Sequence, residues 1–213
     1  MTSAILSPRY EITYTGAGSG LAYTLKQICS TVISEGGFEG RSIIRHIGNE
    51  TSISNINVSG TFIPLIALKL DDASTTNING IIIPSQLSII YDTRNNNGNL
   101  LYQVILNPTI NGGTISYINY STAYPSDTNS VAKYWLNASG TTFNVSGGII
   151  VNAGLMTNGS NISLNNPTDF NIQIGRSYSG NNTYTSDVLV VVVKFLNTGN
   201  APELYAQLGW YEL

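Results

Sequence analysis

Charge is what this sequence has least of. Only 10% of its 213 residues are Asp, Glu, Lys or Arg, against about 25% in ordinary globular chains. The net charge is −3, and nine basic residues scattered singly form no stripe that could neutralise a run of phosphates. That argues against nucleic acid as a partner. A single cysteine, Cys29, cannot close an intramolecular disulfide, so stability must come from packing or from partner chains. The longest solid aliphatic run, Val188 to Val193, is six residues, far short of the roughly 20 of a membrane helix, so no membrane insertion is expected. The first nine residues lack the basic region and the apolar core of a secretory signal.

What is present is apolar and amide-rich. Hydrophobic residues reach 42%, and Asn, Ser, Thr and Gly supply most of the polar surface. Such a skin suits an extracellular or particle-bound protein, and it equally follows from an AT-rich genome. Alternation of period two recurs along the chain, and no window of helical length keeps an apolar stripe. Tyr10, Ile12 and Tyr14 share one face of a first strand; Leu204, Ala206, Leu208 and Trp210 share one face of the last. Between them, strands are expected near 21 to 34, 61 to 70, 86 to 92, 100 to 107, 113 to 118, 131 to 136, 148 to 152, 170 to 175 and 187 to 196. The run from Val188 to Val193 is apolar at every position, which predicts a central strand covered on both faces.

Asn97-Gly98, Asn111-Gly112 and Asn158-Gly159 are turn signals. Pro64 and Pro84 lie in or beside apolar runs, which assigns them to strand starts, edges or bulges. The stretch from Asn137 to Asn182, richest in Asn, Ser and Gly, reads as long loops at one end. The expectation is an all-β chain: one domain over residues 1–213, a two-sheet antiparallel β-sandwich whose strand number fits a jelly roll. It is also compatible with the C-terminal part of a longer protein.

Candidate chemistry is sparse. Cys29 as a nucleophile needs a base, and the only histidine, His46, lies beyond a glycine-rich loop. A buried strand cysteine and a hydrogen-bonded loop histidine are the plainer readings. Glu35 and Glu39 could be a glycosidase pair, but four residues apart in one loop they have no reason to face each other at the ~5 to ~9.5 Å that the mechanisms use. Glu35, Gly36, Gly37 and Arg41 instead read as a structural strand-turn motif: the glycines permit a sharp turn and a carboxylate can pair with the arginine. Gly16-Ala-Gly-Ser-Gly20 precedes another strand pattern rather than a helix, so it is not a dinucleotide loop. Asp92 to Gly98 lacks the alternating oxygens of a calcium loop, and Gln103 stands where the bidentate glutamate belongs. Asp71-Asp72 reads as a solvated loop, with calcium at an intersubunit contact left open. Tyr117, Tyr120, Tyr124, Tyr134 and Trp135 bias one region toward aromatics, and Tyr134 and Trp135 are the candidate ligand or interface pair, beside plain core packing. No catalytic residue, cofactor or metal site is expected.

The succession "SPRYEIT", "LKQICSTVISEGGFEGR", "TFIPLIALKL" and "LGWYEL" resembles a family of virion structural proteins of tailed phages, many of them marine, and of some large DNA viruses. The resemblance covers most of the chain outside about residues 110 to 185, and the segment Gln27 to Arg41 is its most specific mark. It implies a jelly-roll protein of the virion without enzymatic activity, self-associating as a homo-trimer and attached to other virion proteins as a capsid decoration or head fibre. The resemblance implies a longer region upstream of the first strand, the natural tether to a particle, whereas in this sequence the first strand is expected from about residue 9. The alternative role is a tail-associated module recognising a host surface glycan.

Overall fold

The run Val188–Phe195 puts Leu189, Val191, Val193 and Phe195 on one face and Val190 and Val192 on the other, and all six are buried. Two separate hydrophobic clusters cover those faces, as a strand apolar at every position requires. In the computed structural model the residues described are 44–49, 53, 60–72, 80–92, 98–137, 143–157, 159–180, 183–196 and 203–213. The chain divides into two units, Met1–Gly40 and Arg41–Leu213, and all of these residues lie in the second.

In chain order the strands are β1 (Ile44–Gly48), β2 (Phe62–Leu70), β3 (Ile82–Asp92), β4 (Leu100–Leu106), β5 (Thr109–Asn111), β6 (Ile118–Asn119), β7 (Ala132–Leu136), β8 (Asn144–Ser146), β9 (Ile149–Met156), β10 (Asn161–Leu164), β11 (Arg176–Gly180), β12 (Thr183–Ser186), β13 (Val188–Phe195) and β14 (Glu203–Glu212). Among the described residues a single helical turn, α1 (Tyr120–Ala123), and a 3-10 turn at Pro167–Asp169 complete the elements.

One sheet has the order β1-β14-β3-β10 and the other β6-β7-β2-β13-β4-β9, with every pairing antiparallel. The fold is therefore an all-β, two-sheet antiparallel sandwich. The pairing is nested: β1 with β14, β2 with β13, β3 with β10 and β4 with β9. The main core fills the space between the sheets, with Ile47, Leu87, Ile89, Leu208 and Trp210 from the first against Leu65, Leu68, Val104, Val191 and Tyr134 from the second. The short ladder β5–β8 lies over the far side of the six-stranded sheet, where Val145 and Ile110 meet Trp135, Ala67, Ile105, Val190 and Val192.

Both prolines fall at bulges. Pro64 pairs where the β2–β13 register shifts past Leu65, and Pro84 where the β3–β14 register shifts past Ser85. The carbonyls freed at the first bulge are taken up by Asn137, whose Nδ2 donates to the Pro64 carbonyl at 2.8 Å and whose backbone N–H donates to the Leu65 carbonyl at 2.9 Å. Gly112 and Gly159, the second residues of two Asn-Gly turns, take φ of 90° and 76°.

Several expectations are corrected. Residues 113 to 117 are not a strand; Ile115 and Tyr117 pack onto the outer cluster, and pairing begins only at Ile118. The alternation in 170 to 175 makes one isolated bridge at Ile174; Phe170 and Ile174 alternate because they plug the main core. The span from Asn137 to Asn182 is not a set of loops, since β8 to β11 all fall inside it. His46 sits within β1 rather than in a loop. The expected strands before Ile44 and the turn at Asn97 lie outside the described residues.

Candidate functional site

The outward residues of the four-stranded sheet form rows set by its register. His46 stands opposite Gly209, Gly48 opposite Gln207, Gln207 opposite Ser88, and Ser88 opposite Ser163. Tyr205 stands opposite Ile90 in the next row but one along β14. Gly48 keeps the floor low: a Cβ there would come within 3.1 Å of the Ala206 carbonyl oxygen. The result is an open trough of about 310 Å³ whose walls include His46, Ser88, Ile90, Tyr124, Tyr205 and Gln207. His46, Gln207, Ile90 and Tyr124 are exposed and Tyr205 is half-buried. Asn49 closes one end, but its amide is already committed to β14: Nδ2 donates to the Leu204 carbonyl at 3.1 Å and Oδ1 accepts from the Ala206 N–H at 2.5 Å.

Tyr124 reaches this face from the segment after α1, and a buried ionic clasp holds that segment. Arg45, pointing inward from β1 and 6% exposed, donates from Nε to Asp127 Oδ2 at 2.6 Å and from Nη2 to Asp127 Oδ1 at 2.8 Å. The backbone N–H of Asp127 in turn donates to the Tyr124 carbonyl at 2.9 Å. Glu212 of β14 completes the cluster, accepting from Ser130 Oγ at 2.7 Å, from Trp210 Nε1 at 2.9 Å and from the Val131 N–H at 2.9 Å. Burial, the largest single influence, works to lower the Arg45 pKa. The hydrogen bond to Asp127 and the charges of Glu212 and Asp127 outweigh it and hold the guanidinium above its ordinary value. The Tyr124 ring stacks on Tyr120 at 4.5 Å between centroids, and Tyr120 meets Trp210 edge-on at 5.2 Å. The rim tyrosine is thus fixed to the core by a ring contact and a charge-assisted bond.

Of the residues singled out in the sequence, Glu35, Gly36, Gly37 and Arg41 lie outside the described residues, as do Cys29 and Glu39. Tyr134 and Trp135 are described, and they point to opposite sides of β7. Tyr134 joins the main core at 8% exposure and Trp135 the outer cluster at 9%, its ring 5.8 Å from Phe143. Both side chains are buried, in two separate clusters. The acidic pair is spent on cations and backbone: Lys133 Nζ lies 2.7 Å from Asp71 Oδ1, Lys69 pairs with Asp72, and Asp72 Oδ1 accepts from the Ser186 N–H at 3.0 Å. Among the described residues no group of three or more His, Cys, Asp or Glu is placed to hold a metal ion.

The chain matches no known protein-family model, and no curated protein is similar to it. The trough escaped sequence reasoning because its walls come from three strands and a turn far apart in the chain. The one available signal was the pattern around Arg45-His46-Ile47, where a basic residue takes the inward-facing position of a strand.

Proposed function

We propose that this protein is a non-enzymatic structural component of a virus particle, a capsid decoration or head fibre that acts through self-association and attachment. Two features support the reading. The two antiparallel sheets, with β1-β14-β3-β10 against β2-β13-β4-β9, suit the jelly roll that the sequence resemblance implies. The second feature carries the self-association. Among the described residues β9 pairs only with β4, leaving an edge without a single charged residue. On it Ile149, Ile150 and Leu155 are 65%, 55% and 68% exposed. A long edge strand with no lysine or proline in it and with exposed apolar side chains invites a second chain.

Light scattering on the size-exclusion peak tests this directly. A trimer is expected for the native chain and a folded monomer for Leu155→Lys, because a charge on the edge must be desolvated at the contact. A native chain that stays monomeric at tens of micromolar removes the self-association on which the reading depends. Gold-labelled antibody on purified particles then separates head from tail, and label on neither, with the chain absent from the particles by mass spectrometry, overturns the virion role.

A further inference from the structure

We infer that the trough on the outer face of the four-stranded sheet is a binding site for an uncharged glycan. The two outward faces of the sandwich are treated differently. The far side of the six-stranded sheet is apolar where β5 and β8 cover it. The outward face of β1, β14 and β3 carries instead a hydroxyl, an imidazole, a primary amide and one phenol around a glycine-lowered floor, and Tyr124 adds a second phenol from the segment after α1. A trough of about 310 Å³ lies at the lower end of the range in which small ligands bind, about 300 to 1,000 Å³.

The chemistry of the walls selects the ligand. A pyranose ring presents C–H bonds on its faces and hydroxyls on its edge. Tyr124 and Tyr205 supply flat amphipathic surfaces for the former; Gln207, Ser88 and His46 supply donors and acceptors for the latter. Among the described residues that line the trough there is no lysine, arginine or carboxylate, so none of them would offset the desolvation of a sulfate, phosphate or sialic acid carboxylate. Pre-organisation is built in as well. The Arg45–Asp127 clasp and the stacking on Tyr120 hold Tyr124 before any ligand arrives, which limits the ordering cost of binding.

This inference does not rest on the virion reading. The full chain is titrated with neutral oligosaccharides, namely maltohexaose, cellohexaose, mannohexaose and chitohexaose, and with heparin and polysialic acid as anionic probes, by saturation-transfer NMR and calorimetry. At least one neutral probe is expected to bind, with Gln207→Ala and His46→Ala each weakening it by about ten-fold, and with unchanged thermal unfolding because both side chains are exposed. Tyr124→Ala is expected to abolish the ring signal in the transfer spectrum. Absence of binding by every neutral probe at about 10 mM overturns the site. So does binding that survives all three substitutions, or a preference for heparin or polysialic acid. A monomer that binds glycan through these residues would remove the self-association and leave this site standing; a trimer that binds none would do the reverse.

Discussion

Arg45 and Asp127 grip each other through two parallel hydrogen bonds of 2.6 and 2.8 Å, although they stand on opposite sides of a long excursion of the chain. The arginine side chain is 7% exposed and the aspartate 21%. Removing the aspartate leaves a largely buried guanidinium whose remaining acidic neighbour among the described residues is Glu212 at 3.6 Å. Asp127→Ala is therefore expected to cost about 3 kcal/mol, the lower end of what breaking a buried pair costs. Urea unfolding of the two proteins measures it, and a difference below about 1 kcal/mol would mean the pair behaves as a surface one.

Gly148 offers a sharper contrast with its neighbour. Its φ is +82°, and a Cβ there would lie 2.6 Å from Ile105 Cγ2 and 2.7 Å from the Leu106 carbonyl oxygen. Gly147, at φ +67°, has open space around it. Gly147→Ala is expected to cost about 1 kcal/mol through the backbone alone. Gly148→Ala must also move the β4 backbone, so its loss is expected to exceed that of its neighbour by at least a further 1 kcal/mol or so. Paired thermal melts decide it.

Much of the fold could be read in the chain, and the misreadings share one cause. Alternation reports burial on one side, and burial usually accompanies pairing in a sheet. At Phe170 and Ile174, and at Ile115 and Tyr117, the apolar residues are seated in a core while the backbone pairs elsewhere or hardly at all. Conversely Asn161-Ile-Ser-Leu164 does pair, along the outer edge of β3, but its two apolar residues were lost among asparagines and serines. The all-apolar strand and the two bulge prolines were legible because each has few physical solutions. The trough was not, since no local pattern marks residues that only a sheet register brings side by side.

Trp135 separates a packing role from a binding one. It fills the outer cluster against Phe143 and is 9% exposed. Trp135→Ala is expected to lower stability by about 3 to 5 kcal/mol. If the substituted chain stays folded, its affinity for a glycan in the trough is expected to be unchanged. Denaturation and titration of the same sample give both answers.

Alkali should unfold the protein through its phenols. Burial, aided by the charge of Asp72, pushes the Tyr117 hydroxyl up to about 12, and burial also raises Tyr91, Tyr102, Tyr120 and Tyr134. Folded-state values above the ordinary value near 10 mean that the native chain holds these protons longer than the unfolded one. The stability they contribute is intact below about pH 10 and falls as the pH rises toward 12. Phenolate absorbance is expected to appear together with the loss of near-ultraviolet ellipticity. Smooth ionisation ahead of unfolding would contradict it.

The nesting of the strands also fixes the order in which the molecule can assemble. Leu106 meets Ile149 across the innermost pair, whereas Ile44 must find Tyr211 across almost everything between. Each outer pair encloses a loop that the inner pair has already shortened, so closure from the inside outward spreads the entropy cost over several small steps. Topologies of this kind fold slowly, on the scale of milliseconds to seconds. The Arg45 clasp, which spans the outermost pair and the segment bearing Tyr124, would then lock among the last contacts to form. The wall of the trough would be completed only as the barrier to unfolding is completed, and would be the first part of the molecule lost when it opens.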